Sequence, residues 1–221
     1  MSKIYCIIPA YNEAANIAQV IKEVTPLVDV VVVVDDASQD QTAAVAERAG
    51  AQVLRHLINR GQGAALRTGT TYALSQGAAI VAHFDADGQF LASDLPALVA
   101  PLLNGLADLA LGSRFLQTKN YLPLTKHYLI MPLARLVNCL FWGVKLTDPQ
   151  SGLRAFTATA GRQLNWREDR MAHCSEILGL AVKHKLRITE VPMTVIYHNF
   201  GQRFGGGCKI LKDLFFNKLT R

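Results

Sequence analysis

Cysteine is sparse and unpaired in this chain. The four cysteines among its 221 residues are Cys6, Cys139, Cys174 and Cys208, which fall in no CxxC pair and at no zinc spacing. That excludes a zinc ribbon and a disulfide framework, and predicts reduced thiols in a cytoplasmic protein. A long uninterrupted apolar run is also missing. The most apolar stretch, His127 to Lys145, is broken by Pro132, Arg135 and Lys145, a poor pattern for a membrane span. The opening MSKIYCIIPAYNE has neither a basic n-region nor a long apolar h-region, so no signal peptide is expected. There are no repeats and no low-complexity segments. Basic residues are not interleaved with aromatics on a strand face, which argues against a nucleic-acid partner. The glycine loop NRGQGAAL lacks the GK[ST] of a P-loop and reads as a tight turn with close helix packing, where contact with a ligand stays open.

What is present is a core and a charge asymmetry. Half of the residues are hydrophobic, enough for one domain over residues 1–221. Residues 1–118 carry 7 Lys+Arg against 11 Asp+Glu, a balance of −4, and residues 119–221 carry 16 against 6, a balance of +10. The basic half predicts anionic partners such as phosphates or an acidic lipid surface, with a merely solvated surface as the alternative for any one charge.

Strand and helix alternate through the first half. The strand signals are IYCIIPA, DVVVVVDDAS, AQVLRH, AAIVAHFDADG and ADLALGSRF, and helical patterns lie between them. This is the pattern of a largely parallel α/β sheet with helices on both faces. A further helix is expected near CSEILGLAVKH and a strand at RITEVPMTVIYH. The stretch from His127 to Lys145 reads as an amphipathic helix, suited either to the bilayer interface or to packing on the sheet. The tail RFGGGCKILKDLFFNKLTR joins a glycine hinge to a short basic, apolar helix.

In a parallel sheet, ligands bind at the carboxyl ends of the strands. Two strands end there in acidic pairs: Asp35-Asp36 and Asp85-x-Asp87. Clustered carboxylates repel one another unless a positive charge sits among them. A hard divalent cation, Mg²⁺ or Mn²⁺, takes one or two carboxylates and completes its shell with phosphate and water oxygens. Gln89 adds a neutral oxygen, and Gly88 permits the sharp bend between them. Helix capping is the alternative for each aspartate alone.

The segments IIPAYNE, VVVDDASQDQT, NRGQGAALRTG, FDADGQ, LGSRF and TDPQSGLRAF resemble, in order, the motifs of family 2 glycosyltransferases. The resemblance runs over nearly the whole chain and is nearest to the dolichol-phosphate mannosyltransferase and polyprenyl-phosphate glycosyltransferase type. It implies a GT-A fold, a nucleotide-sugar donor, a divalent metal and inversion at the anomeric carbon. By the same resemblance Pro9, Tyr11, Glu13, Val34 and Asp36 line the nucleoside, and Asp85, Ala86 and Asp87 hold the donor. Asp85, Asp87 and Gln89 then bind the metal, Asp87 and Gln89 most of all. Arg114 approaches a phosphate, and Arg203, in RFGG, resembles the cation of a glycine lid.

Asp87, Arg114, Asp148 and Arg154 are the candidates for catalysis. Two roles are open to Asp148: general base, or orienter of the arginines. A saccharide acceptor needs a base, whereas a polyprenyl phosphate is already anionic and needs cations such as Arg114, Lys126, Arg135, Arg154 and Arg203. The expectation is transfer to a polyprenyl phosphate by a peripheral protein on the cytoplasmic face of the membrane, with self-association open. A soluble enzyme acting on saccharides and a non-catalytic nucleotide-binding module are the alternatives. The sequence does not choose among GDP-mannose, UDP-glucose and UDP-N-acetylglucosamine.

Overall fold

The structure is a computed structural model that describes residues 2–116 and 146–196. The amphipathic stretch from His127 to Lys145, the Arg203 motif and the basic tail lie outside the described residues.

The expected alternation holds. Strand β1 (Ile4–Ala10) leads through α1 (Ile17–Val24) to β2 (Val30–Asp35), then α2 (Thr42–Arg48) and β3 (Gln52–Arg55). Helix α3 (Gln62–Ser75) precedes β4 (Ile80–His83), and α4 (Leu95–Leu103) precedes β5 (Leu109–Ser113). After the undescribed stretch come β6 (Arg154–Thr157), α5 (Ala158–Gln163), α6 (His173–Lys183) and β7 (Ile188–Pro192). The strands form one sheet in the order β3-β2-β1-β4-β6-β5-β7. All pairings are parallel except those of β6, which runs against both β4 and β5.

Strand alternation divides the core into two layers. Cys6 and Ile8 of β1 face α1, α2 and α4, with Ile17, Val20, Ile21, Leu95 and Leu98 packed there. Tyr5 and Ile7 face α3, α5 and α6, against Ala65, Ala73, Ile177 and Leu178. Strand β2 alternates in the same way: Val31 and Val33 on the first face, Val32 and Val34 on the second. The run of five valines is therefore a strand buried on both sides.

The antiparallel β6 is the departure from the sequence pattern. Arg154, its first residue, lies opposite His83 of β4 and Leu111 of β5. Its reversed direction brings its amino end, and the segment TDPQSG before it, to the edge where the parallel strands finish. One edge thus collects Ala10, Asp35, His83, Ser113 and the entry to Arg154.

Candidate active site

The two acidic strand ends have different surroundings. Asp36 is 3% exposed, and its carboxylate accepts from His56 Nδ1 (2.6 Å), Arg60 N (3.0 Å) and Gly61 N (2.6 Å). The His56 ring is fixed in turn by Thr68 Oγ1 through Nε2 (2.9 Å). Asp35 accepts from Ser38 N (3.1 Å) and pairs with Arg55 (3.5 Å). These carboxylates fasten the loops after β2 and β3 to the sheet. Val34 is wholly buried and paired to both neighbouring strands, so only its backbone faces along the edge. Pro9 is the penultimate residue of β1, with Tyr11 exposed beyond the strand and Glu13 half-buried. Asn12 adopts a left-handed φ of 57° and locks the turn: its amide donates to Ser38 Oγ (2.9 Å) and its Oδ1 accepts from Gln39 N (2.8 Å). The β1 and β2 turns therefore form one surface on which Tyr11 projects.

The second acidic end is open. Asp87 is exposed, Asp85 and Gln89 are half-buried, and Ala86 is buried. Asp87 Oδ1 accepts from Gln89 N (3.0 Å) across Gly88, whose φ of 70° suits glycine. Asp85 is held at one oxygen and closely approached at the other. Gln62 Nε2, from the start of α3, donates to Oδ1 (2.8 Å). Gly152 lies so near that a Cβ there would sit 2.6 Å from Oδ2. Burial, and then the neighbouring Asp87 carboxylate, push Asp85 up to about 7. No three His, Cys, Asp or Glu side chains converge on one point among the described residues. The turn instead offers two carboxylates and an amide, an all-oxygen set that fits Mg²⁺ or Mn²⁺ with the remaining positions left to phosphate and water.

Gly152 also links this turn to the third part of the edge. Asp148 is buried, and both of its oxygens are engaged by Arg114: Nε to Oδ2 at 2.6 Å and NH2 to Oδ1 at 2.8 Å. Behind the pair, Glu190 of β7 accepts from the backbone amides of Thr147 and Asp148 (2.8 Å each). Ser113 Oγ and Thr147 Oγ1 meet at 2.6 Å. Such a fork-to-fork pair fixes the plane of the guanidinium, while the Arg114 side chain remains partly open to solvent. Between the two roles left to Asp148, the geometry supports orienter.

Arg154 sits inside the protein. It is 1% exposed, and its NH2 donates to Ser151 O (2.7 Å) and meets Cys174 Sγ at 2.8 Å. Burial would raise the Cys174 thiol, but the Arg154 charge and His173 outweigh it and bring it down to about 6. His83, at the end of β4, bonds Thr70 Oγ1 (2.9 Å). Burial first, then the charge of Arg154, hold His83 well below its ordinary value, so it stays neutral. Arg154 also counteracts the rise at Asp85. Its place is a counter-charge beneath the Asp85 turn. Gln62, Gly152 and Cys174 are the residues that sequence reading missed. Gln62 had a signal, as the polar side chain set between the two glycines of the loop.

Comparison with known proteins identifies the family. Residues 5–163 match Glycosyl transferase family 2. The UDP-N-acetylglucosamine–dolichyl-phosphate N-acetylglucosaminyltransferase of Methanococcus voltae is 34% identical, covering 98% of this chain and 94% of that protein. The undecaprenyl-phosphate mannosyltransferase of Micrococcus luteus is 30% identical, covering 93% and 88%. Among solved structures, glucosyl-3-phosphoglycerate synthase from Mycobacterium tuberculosis, in complex with Mn²⁺, uridine diphosphate and phosphoglyceric acid, superposes with a TM-score of 0.75. At 22% identity over 99% of this chain and 78% of that one, the likeness is one of fold.

Proposed function

Because the chain belongs to glycosyl transferase family 2 and is a glycosyltransferase of GT-A fold, we propose that it transfers a sugar from a nucleotide-sugar donor to a polyprenyl phosphate. The observation that carries this reading is the Arg114–Asp148 pair. A hydroxyl acceptor needs a base within reach, and the carboxylate best placed for that work is spent on holding a cation. An acceptor that arrives already charged needs the cation instead. The names of the two relatives, which carry dolichyl phosphate and undecaprenyl phosphate, support the same choice.

In this reading the donor lies along the ends of β1, β2 and β4. Tyr11 packs on the nucleoside, and Pro9, Glu13 and the Val34 backbone shape its floor. Asp36 acts through the loop it fastens. Asp87 and Gln89, with Asp85, would hold Mg²⁺ or Mn²⁺, which would supply charge neutralisation to the departing diphosphate. Gln62 and Gly152 keep Asp85 in place, and Arg154 offsets its charge from below. Arg114, oriented by Asp148, draws the acceptor phosphate to the sugar. A phosphate oxygen forms the new bond to the anomeric carbon on the face opposite the one where the bond to the diphosphate breaks, so the configuration inverts. No proton needs to be removed.

The relatives' names carry two different sugars, so the donor is found by trial. The test is a transfer screen with GDP-mannose, UDP-glucose and UDP-N-acetylglucosamine, in Mn²⁺ and in Mg²⁺, against a polyprenyl phosphate and against free saccharides. Transfer to the lipid phosphate is expected. Transfer to saccharides alone overturns the reading and returns Asp148 to the role of base.

A further inference from the structure

Large apolar side chains left in solvent are not spread evenly over the molecule. Among the described residues, Tyr11, Leu57, Ile58, Leu116, Met171 and Ile196 are exposed, and all of them lie on connections at the carboxyl edge of the sheet. Leu103, the last residue of α4, and Leu106 just beyond it are the exposed pair at the opposite edge. Single exposed apolar residues are ordinary on a protein surface. Leu57 and Ile58 are not single: they are adjacent, 99% and 70% exposed, and set on a loop that is firmly held.

The loop joins β3 to α3. Asp36 grips it from both sides of the tip, through His56 and through the amides of Arg60 and Gly61. On the far side Ala64 N donates to Asp169 O (3.1 Å), and Arg60 pairs with Asp169 (3.6 Å). The tip is therefore a braced projection with its two aliphatic side chains pointing away from everything that braces it. Arg55 and Arg60 bracket it, each with a side chain about half exposed or more, and residues 55–60 contain no acid. Exposed Arg170 and Met171 follow directly on Asp169.

We infer that the Leu57–Ile58 tip is a membrane-contact element, which seats the carboxyl edge of the sheet on an anionic lipid surface. An apolar tip between cations matches such a surface: aliphatic side chains enter the acyl boundary while guanidinium groups stay among the headgroups. A second copy of the chain suits the tip poorly. A two-fold contact centred there sets Arg55 and Arg60 against their own counterparts. The tip stands on the same edge as Arg114 and the Asp85–Gln89 turn, so its insertion brings the site to the plane where a lipid phosphate is displayed. In that respect the inference rests on the polyprenyl-phosphate reading and adds the structural element that does the docking.

The experiment uses the full chain and vesicles of equal parts phosphatidylglycerol and phosphatidylcholine. Wild type is compared with Leu57→Ser/Ile58→Ser in co-sedimentation, at low and at high salt. Both side chains are exposed, so the variant is expected to keep the wild-type thermal midpoint and wild-type donor hydrolysis in solution. Its partition onto vesicles is expected to fall by roughly tenfold or more, the consequence of removing two aliphatic side chains from an apolar phase. Raised salt is expected to weaken wild-type binding further. Leu57→Trp provides the reciprocal measurement: relative to wild type, it adds emission that shifts to the blue on vesicles. Equal vesicle binding by wild type and the double variant, or no shift from Leu57→Trp, overturns the inference. So does a wild-type dimer that the double variant dissolves without any change in vesicle binding. Loss of vesicle binding in the variant, found together with transfer only to saccharides, keeps the docking tip and defeats the acceptor reading.

Discussion

Asp35-Asp36 and Asp85-Ala86-Asp87 follow the two strands that flank β1, on one edge of one sheet, and they have opposite fates. The first pair is internal, with donors on its oxygens from Ser38, His56, Arg60 and Gly61. The second is open at Asp87 and restrained, but not consumed, at Asp85. A carboxylate at a strand end can be a fastener or a ligand, and what decides is whether another part of the chain arrives to satisfy it. The His56–Gly61 loop reaches Asp36. At the β4 end, among the described residues, Gln62 and the bare backbone of Gly152 come close, and the exposed Asp87 keeps coordination capacity.

The largest expected effect tests the open pair. Asp87→Ala should lower metal-dependent donor turnover by roughly a thousandfold, the loss of several kcal/mol of metal-borne charge stabilisation. The thermal midpoint of the metal-free protein should be unchanged, because the side chain is exposed. Full activity in the variant, or wild-type turnover that survives EDTA, would erase the distinction between the two ends.

The internal pair should respond in the opposite sense. Asp36→Ala removes a buried carboxylate from three partly buried donors and should cost about 2 kcal/mol of stability, read from urea unfolding. Turnover measured in the cold, where the variant is still folded, should suffer less than in Asp87→Ala. A variant with normal stability and absent donor binding would move Asp36 into the ligand class.

Asp148→Asn sharpens the comparison on the acceptor side. An asparagine oxygen keeps one bond to Arg114 and loses the charge, so turnover with a lipid phosphate should fall by roughly ten- to a hundredfold. The double variant with Arg114→Ala should be little worse than Arg114→Ala alone, since the carboxylate acts through the guanidinium. Additive losses would restore an independent role as base.

The smallest effect concerns pH. Asp85 is raised to about 7 in the metal-free protein, by burial and then by Asp87, so below that pH a proton must leave before the carboxylate can take a cation. Mn²⁺ affinity should drop by about tenfold for each pH unit below 7 and level off above it. The sign for stability follows from the same shift. The folded state holds this proton more tightly than the unfolded chain, so the metal-free protein loses stability as pH rises from about 4 to about 7. Calorimetric titration across pH checks the first slope and thermal unfolding the second. Asp85→Asn should abolish both.

Much of the fold is legible in the residues. The five valines of β2, the Ile17-Val20-Ile21-Val24 spacing and the alternation up to β5 specify a parallel sheet covered on both faces. Strand β6 is not legible, because RAFT is only four residues long and opens with an arginine, the residue least expected in a sheet interior. That same arginine reads as a free cation in the sequence. Its burial depends on Cys174 and the Ser151 carbonyl, partners that only the folded chain brings to it. The Asp87–Gln89 turn is legible because every element of it is local. The division between Asp36 and Asp85 is not, because it depends on residues 20 or more positions away.

One topological fact reaches further than the site itself. Since β6 runs against β5, the chain departs after Ser113 and returns at Thr147 on the same side of the sheet, and those two hydroxyls are tied together, with Arg114 and Asp148 clasped beside them. The described residues on either side of this connection are thus clamped to each other. A clamp of this kind lets the ends of β5 and β6 keep their register by contacts of their own, independent of the sequence that joins them.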